Sequence, residues 1–181
     1  MTDAQTQLHV ASTADLCPIE RRTLRALLDA AFEGDFSEDD WGHALGGVHV
    51  WVSAADGVIS QGSLVARTLR CAGHAMQVGY VEAVATAAAH RRQGHGAAVM
   101  RRIGALLSER YELGALSTGT PAFYQTLGWE RWRGATFVDG PSGMERTPDD
   151  DGGIMILRTP RSPRLDLDGD IVADWRPGDV W

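Results

Sequence analysis

The feature that most constrains this chain is a change of hydrophobic period in its middle. Val48 to Ser53, Val58 to Arg70 and about Met76 to Thr86 read as three strand-like runs. Ala55-Asp56-Gly57 and Cys71-Ala72-Gly73-His74 form the tight turns between them. Successive strands joined so closely pair as an antiparallel meander. Beyond Thr86 the spacing lengthens. From Gly94 to Arg110, Val99, Ile103, Leu106 and Leu107 recur on one helical face, while Arg101, Arg102 and Glu109 fall elsewhere. Leu113 to Ser117 follows as a short apolar strand. A meander that feeds a strand–helix–strand crossover predicts an α+β fold.

The flanks are consistent with one domain over residues 1–181. Gln7 to Val10 reads as a first strand, which makes the Met76 to Thr86 run the fourth. Pro18 opens an amphipathic helix through Leu24, Leu27, Leu28 and Ala31. Ser37 caps a second, short helix carrying Asp40, Trp41 and Leu45. Pro121 to Leu127 reads as a short helix stopped by Gly128, and Gly153 to Thr159 as a last strand before a polar tail. No repeat or linker interrupts the order, and 181 residues is one ordinary domain's length.

Composition excludes several functions. The formal net charge is −7, which leaves no basic surplus to displace counterions from nucleic acid. No run is long and apolar enough to span a bilayer, and Met1-Thr2-Asp3-Ala4-Gln5 lacks the regions of a signal peptide, so a cytoplasmic protein is expected. Cys17 and Cys71 have no metal-type spacing, and no metal is expected. The 17 basic residues are all arginine, which rules out lysine nucleophiles. Charge falls in blocks. No arginine lies between Ala26 and Ala66, where Asp35 and Asp40 are among the acids; arginines dominate from Arg67 to Arg110; the carboxyl-terminal part is acidic again. Such a chain can offer a cationic site for one ligand and an anionic site for another.

Chemistry concentrates after the fourth strand. Glu82-Ala83-Val84-Ala85-Thr86 runs into Arg91-Arg92-Gln93-Gly94-His95-Gly96, which opens the long helix. Unpaired helix-terminal N–H groups, the helix dipole, glycines and two arginines together make a pyrophosphate cradle. The G-x-G-x-x-G spacing of a dinucleotide fold is absent, and so is the lysine of a P-loop.

Arg91-Arg92-Gln93-Gly94-His95-Gly96, in this position, resembles the acetyl-CoA motif of the GCN5-related N-acetyltransferases. Gly34-Asp35-Phe36, Asp40-Trp41, Leu45-Gly46-Gly47, Gly79-Tyr80-Val81-Glu82, Leu113 to Ser117, Arg146 to Asp151 and Asp174 to Trp181 are similar to the aminoglycoside 2′-N-acetyltransferases within that superfamily. The resemblance implies the GNAT fold, a mixed, mostly antiparallel sheet splayed between strands four and five and flanked by helices. It also implies a homodimer and acetyl transfer from acetyl-CoA to an aminoglycoside's 2′-amine in a ternary complex, conferring resistance.

The same resemblance assigns roles. Glu82 is the general base and Tyr124 the acid that protonates the leaving thiolate. Val84, Ala85 and Thr86 meet the pantetheine arm through main-chain atoms, and Arg91, Arg92, Gln93, Gly94, His95 and Gly96 hold the pyrophosphate. Asp35, Asp40, Glu82, Ala83, Ser117, Asp150, Asp179 and Trp181 line the aminoglycoside site. Other readings stay open for single residues. Glu82 could be paired with Arg67 or Arg70, Tyr124 could be a core residue beside Phe123 and Leu127, Asp40 could serve only the Ser37 cap, and Asp149 to Asp151 could be a loop. The Ser117 to Pro121 loop looks short and the Val50 to Arg70 region matches poorly. A kasugamycin-type acceptor therefore stands beside the 2-deoxystreptamine type. An acetyltransferase for another small amine or a protein amino terminus is the alternative enzyme, and a non-catalytic CoA-binding domain the alternative class.

Overall fold

Apolar spacing decides which face of each element is covered, and the computed structural model follows that spacing closely over residues 6–181, the residues it describes. Met1 to Gln5, read above as lacking a signal peptide, lie outside them. The chain forms two compact units, one made of residues up to Val65 with Val81–Ile103, the other of Ala66–Tyr80 with Gly104–Trp181.

In the first unit, β1 (Gln7–Ser12) pairs antiparallel with β2 (Val48–Ala54), and β2 with the first part of β3 (Gly57–Cys71). Helix α1 (Pro18–Ala31) starts at a capping box in which Cys17 Sγ accepts from the Glu20 amide and Glu20 accepts from the Cys17 amide. Cys17 is thus a helix cap. Its buried face, Leu24, Leu27 and Leu28, is the one the spacing predicts. The buried Gln61 amide on β3 donates to the Leu24 carbonyl at 2.7 Å, tying helix to strand. Helix α2 (Glu38–Ala44) is capped by Ser37. His49 on β2 is fully buried, with Nε2 2.9 Å from Thr13 Oγ1 and Nδ1 3.0 Å from Ser63 Oγ.

Strand β4 (His74–Thr86) and helix α3 (His95–Arg110) contribute to both units, as β3 does. The predicted face of α3 is buried throughout: Val99, Ile103, Leu106 and Leu107 are at most 1% exposed.

The second unit carries β5 (Leu113–Ser117), α4 (Pro121–Gln125), β6 (Glu130–Arg131), β7 (Thr136–Gly140), β8 (Gly143–Arg146), β9 (Ile154–Arg158) and β10 (Ile171–Asp174). Its strand order is β6-β9-β5-β4-β3-β10-β7-β8. β4 and β5 are parallel over Val78–Tyr80 against Leu113–Ala115, whereas β4 itself runs on to Thr86 and β5 to Ser117. β10 and β7 are also parallel, and β5/β9, β6/β9, β10/β3 and β7/β8 are antiparallel. Close packing of α3 on β5 depends on Gly114. A Cβ there would stand 2.7 Å from a Leu107 methyl and 3.3 Å from the Trp129 ring.

The α+β, mostly antiparallel mixed sheet with flanking helices agrees with the expected fold class. Four strands go beyond the sequence reading. β6, β7 and β8 fall in a stretch left unassigned, and β10 lies in what reads as a polar tail. Each has at most five residues, and β10 exists because it is inserted between β3 and β7, which are distant in sequence. The helix expected over Pro121 to Leu127 ends at Gln125, and Gly128, with φ 87°, stops the turn that follows.

Candidate active site

In the first unit the cradle residues stand at the start of α3. Arg92 (φ 61°) and Gly94 (φ 88°) both take the left-handed conformation, and the Ala98 amide donates to the Gly94 carbonyl, which makes Gly94 the helix's first acceptor. The amides of His95, Gly96 and Ala97 therefore precede the first intrahelical donor, and a helix start of this kind suits an anion. Arg91, Arg92, Gln93 and Gly94 are exposed and His95 and Gly96 half-buried. Two side chains brace the loop. Arg91 Nε donates to the Thr86 carbonyl at 3.2 Å, and Gln93 Nε2 to the Ala89 carbonyl at 3.0 Å. His90 meets Asp56 at 2.9 Å, and its proton holds the Asp56 carboxyl below its ordinary range. These features fit a pyrophosphate-bearing co-substrate such as acetyl-CoA.

Before the cradle, β4 breaks its own regularity. Ala83 sits at φ 53°, a costly conformation for a residue with a Cβ. Glu82, Ala83 and Val84, around this kink, are all half-buried, while Ala85 is buried and Thr86 Oγ1 lies 2.8 Å from Ser60 Oγ. Asp35 and Asp40 sit on the segment after α1. Asp35 is exposed, following Glu33 and Gly34, both at positive φ. One Asp40 oxygen accepts from the Ser37 amide and hydroxyl at 2.9 and 2.8 Å, so the cap engages it. Arg25, missed by the sequence reading, holds this segment. It donates to the Phe36 carbonyl, pairs with Asp29 and Glu38, and lies over the Phe36 and Trp41 rings.

The second unit groups Ser117, Tyr124, Asp150, Asp179 and Trp181. Tyr124 on α4 is 7% exposed and packs edge-on against Phe123 and Trp129. Burial pushes its phenol up to about 12, against a smaller opposing pull from a Thr118 hydrogen bond, so it is a protonated donor at neutral pH. Ser117 ends β5, next to Gly153, whose amide donates to the Asp150 carbonyl at 3.0 Å. The three aspartates of the 149–151 stretch divide their work. Asp151 accepts from Arg146, Thr136 N and Thr136 Oγ1, and the Arg146 guanidinium holds it down to about 2. Asp150 is raised, first by burial and then by the negative charge of Asp179. Thr147, another residue not foreseen, accepts from the buried Trp181 indole at 2.9 Å and donates towards Thr136. Arg67 and Arg70, the partners considered for Glu82, donate to Asp174 and Asp139.

Among the described residues no three His, Cys, Asp or Glu side chains gather as a metal-holding group, and no helix is long and apolar enough to cross a membrane.

A family model described as the acetyltransferase (GNAT) domain matches residues 20–132. The chain is 42% identical to an aminoglycoside 2′-N-acetyltransferase of Mycolicibacterium fortuitum, over 96% of this chain and 93% of that protein. Among solved structures it is similar to a GNAT family N-acetyltransferase, YhbS, of Escherichia coli in complex with CoA, with TM-score 0.66, 18% identity and coverage of 96% and 92%. It also resembles a GCN5-related N-acetyltransferase of Kribbella flavida, with TM-score 0.59 and 19% identity over 72% of this chain. There it spans about a third of the other protein's length (34%).

Proposed function

Because the chain belongs to the GNAT acetyltransferase family, we propose that it transfers the acetyl group of acetyl-CoA to the 2′-amino group of an aminoglycoside. The observation that carries this reading is the 42% identity, over nearly both whole chains, to a protein named for that reaction. The cradle at Arg92–Gly96 and the half-buried Asp150, raised first by burial and then by its acidic neighbour Asp179, support it from the side of each substrate.

Acetyl-CoA, when bound, supplies the acetyl group as a thioester. Arg91 to Gly96 hold its pyrophosphate through backbone amides and guanidinium charge, and the main chain of Val84 to Thr86 aligns its arm. Glu82 binds the 2′-ammonium and takes its proton, so that the neutral amine nitrogen forms a bond to the acetyl carbon as the carbon–sulfur bond breaks. The Ala83 or Val84 amide polarises the carbonyl. Tyr124 gives its proton to the departing sulfur, a role suited to a phenol held protonated. Neither Cys17 nor Cys71 is needed, since acetyl moves directly from one substrate to the other. The acceptor is a polycation with many hydroxyls, and Asp35, Asp40, Ser117, Asp150, Asp179 and Trp181 receive it by charge and hydrogen bonds. Each exposed ion pair is worth only about 0–1 kcal/mol, so several act together. Acetylation turns one ammonium into a neutral amide, which weakens a polycation's hold on phosphate and yields resistance.

Thiol release from acetyl-CoA tests the reading, with gentamicin, tobramycin and kasugamycin set against kanamycin A, which carries a 2′-hydroxyl. Release with the 2′-amino compounds alone is expected. Equal release with amines that lack a 2′-amino sugar would transfer the activity to another acceptor, and acetyl-CoA binding without release would leave only a CoA-binding domain.

A further inference from the structure

The segment after β10 folds back around one side chain. Arg176 Nε donates to the Asp179 carbonyl at 2.8 Å, and Arg176 Nη2 to the Trp181 carbonyl oxygen at 3.2 Å. The same guanidinium lies over the Tyr80 ring, 5.5 Å from its centroid. Tyr80 is 1% exposed and also carries the Arg67 guanidinium at 4.7 Å. A planar guanidinium can bond two separate acceptors along its edge while its face rests on a ring, which an ammonium cannot do. Gly178, at φ 72°, lets the chain turn between the donor and its two acceptors. The Trp181 amide then donates to Asp179 Oδ1 at 3.1 Å, and the Trp181 indole, 3% exposed, donates to Thr147 Oγ1. Arg176 thus holds the main chain on both sides of the Asp179 carboxylate, and Trp181, which it bonds, supplies the amide that this carboxylate accepts from.

We propose that Arg176 is a positioning residue: by clamping Asp179 and Trp181 onto Tyr80, it fixes where the Asp179 carboxylate stands and so sets affinity for the polycationic acceptor. The inference rests on the aminoglycoside reading above. Arg176 touches no reacting atom in this scheme. Its loss acts on acceptor binding and leaves acetyl-CoA binding alone.

Two measurements on the full chain decide it, made on the wild type, Arg176→Ala and Arg176→Lys. Steady-state kinetics give kcat and KM for tobramycin and for acetyl-CoA, and NMR follows hydrogen exchange of the Trp181 indole N–H in the unliganded protein. Arg176→Ala is expected to raise the tobramycin KM at least tenfold, with the acetyl-CoA KM and Tm close to wild type. Its indole exchange should be at least tenfold faster, and Arg176→Lys should recover part of both effects. Unchanged exchange overturns the clamp, and faster exchange with an unchanged tobramycin KM overturns the link to affinity. A joint fall in kcat, both affinities and Tm makes Arg176 a residue of the fold and overturns positioning. If the wild type acetylates none of the aminoglycosides, the substrate reading falls and the affinity claim with it, while the exchange measurement still decides the clamp.

Discussion

Arg67 meets Asp174 twice, through Nε to the carboxylate at 2.8 Å and through Nη2 to the main-chain carbonyl at 2.8 Å. The two residues are 5% and 46% exposed, so a buried cation on β3 is answered by a half-exposed anion on β10. The third guanidinium nitrogen, Nη1, is buried with no hydrogen-bond partner among the described residues. Removing the two partners should therefore have unequal effects. Asp174→Ala strands a buried charge and is expected to cost about 1–3 kcal/mol. Arg67→Met removes the unpaired nitrogen along with the charge, keeps a chain against Tyr80, and should cost less. Urea unfolding of both variants checks the order, and a larger loss for Arg67→Met would contradict it.

Tyr124 is expected to matter to the rate more than to the fold. Tyr124→Phe keeps the packing against Phe123 and Trp129 and removes only the proton donor. Its kcat should fall about 100-fold, with Tm little changed. With the phenol titrating near 12, wild-type kcat should show no alkaline loss from this group up to pH 10. A variant with wild-type kcat would remove Tyr124 from the mechanism.

His49 predicts a pH dependence of stability. Burial first, and the Arg21 charge second, hold its folded value down to about 4, against an ordinary value of 6.5. Between those values the unfolded chain binds the proton and the folded one does not. The stabilisation is thus fully present above pH 6.5 and is lost as pH falls towards 4, by about 3 kcal/mol at 1.36 kcal/mol per unit. Denaturation midpoints measured from pH 7.5 to 4 should fall steeply for the wild type and more gently for His49→Gln. Parallel curves would place the acid sensitivity elsewhere.

Gly94 has open space where a Cβ would go, so its substitution tests backbone conformation alone. At φ 88° an alanine costs about 1–2 kcal/mol or shifts the loop. Gly94→Ala should raise the acetyl-CoA KM about tenfold and leave the aminoglycoside KM within about twofold, through displaced cradle amides. Isothermal titration with CoA gives the same comparison without turnover, and unchanged CoA affinity would take the cradle away from this loop.

The sequence by itself determined what depends on neighbours along the chain. The period change, the buried faces of α1 and α3, the Ser37 cap and the glycine–arginine turn into α3 arise from spacings of a few residues, so the pattern carries them directly. The resemblance pointed to Glu82, Tyr124 and the acidic residues, and could not say how each is held. Tertiary structure alone decided that Asp151 is tied to Arg146 whereas Asp150 is raised by burial and then by the charge of Asp179, and that Thr147 receives the Trp181 indole. It alone placed Arg67 and Arg176 on the one ring of Tyr80. β10 shows the reason most simply. Ile171 to Asp174 has no strong strand pattern of its own, and its state is set by backbone partners on β3 and β7 whose proximity no local spacing encodes. Short strands and shared charges are stabilised by groups far away in the chain, so they become legible only once the chain has folded.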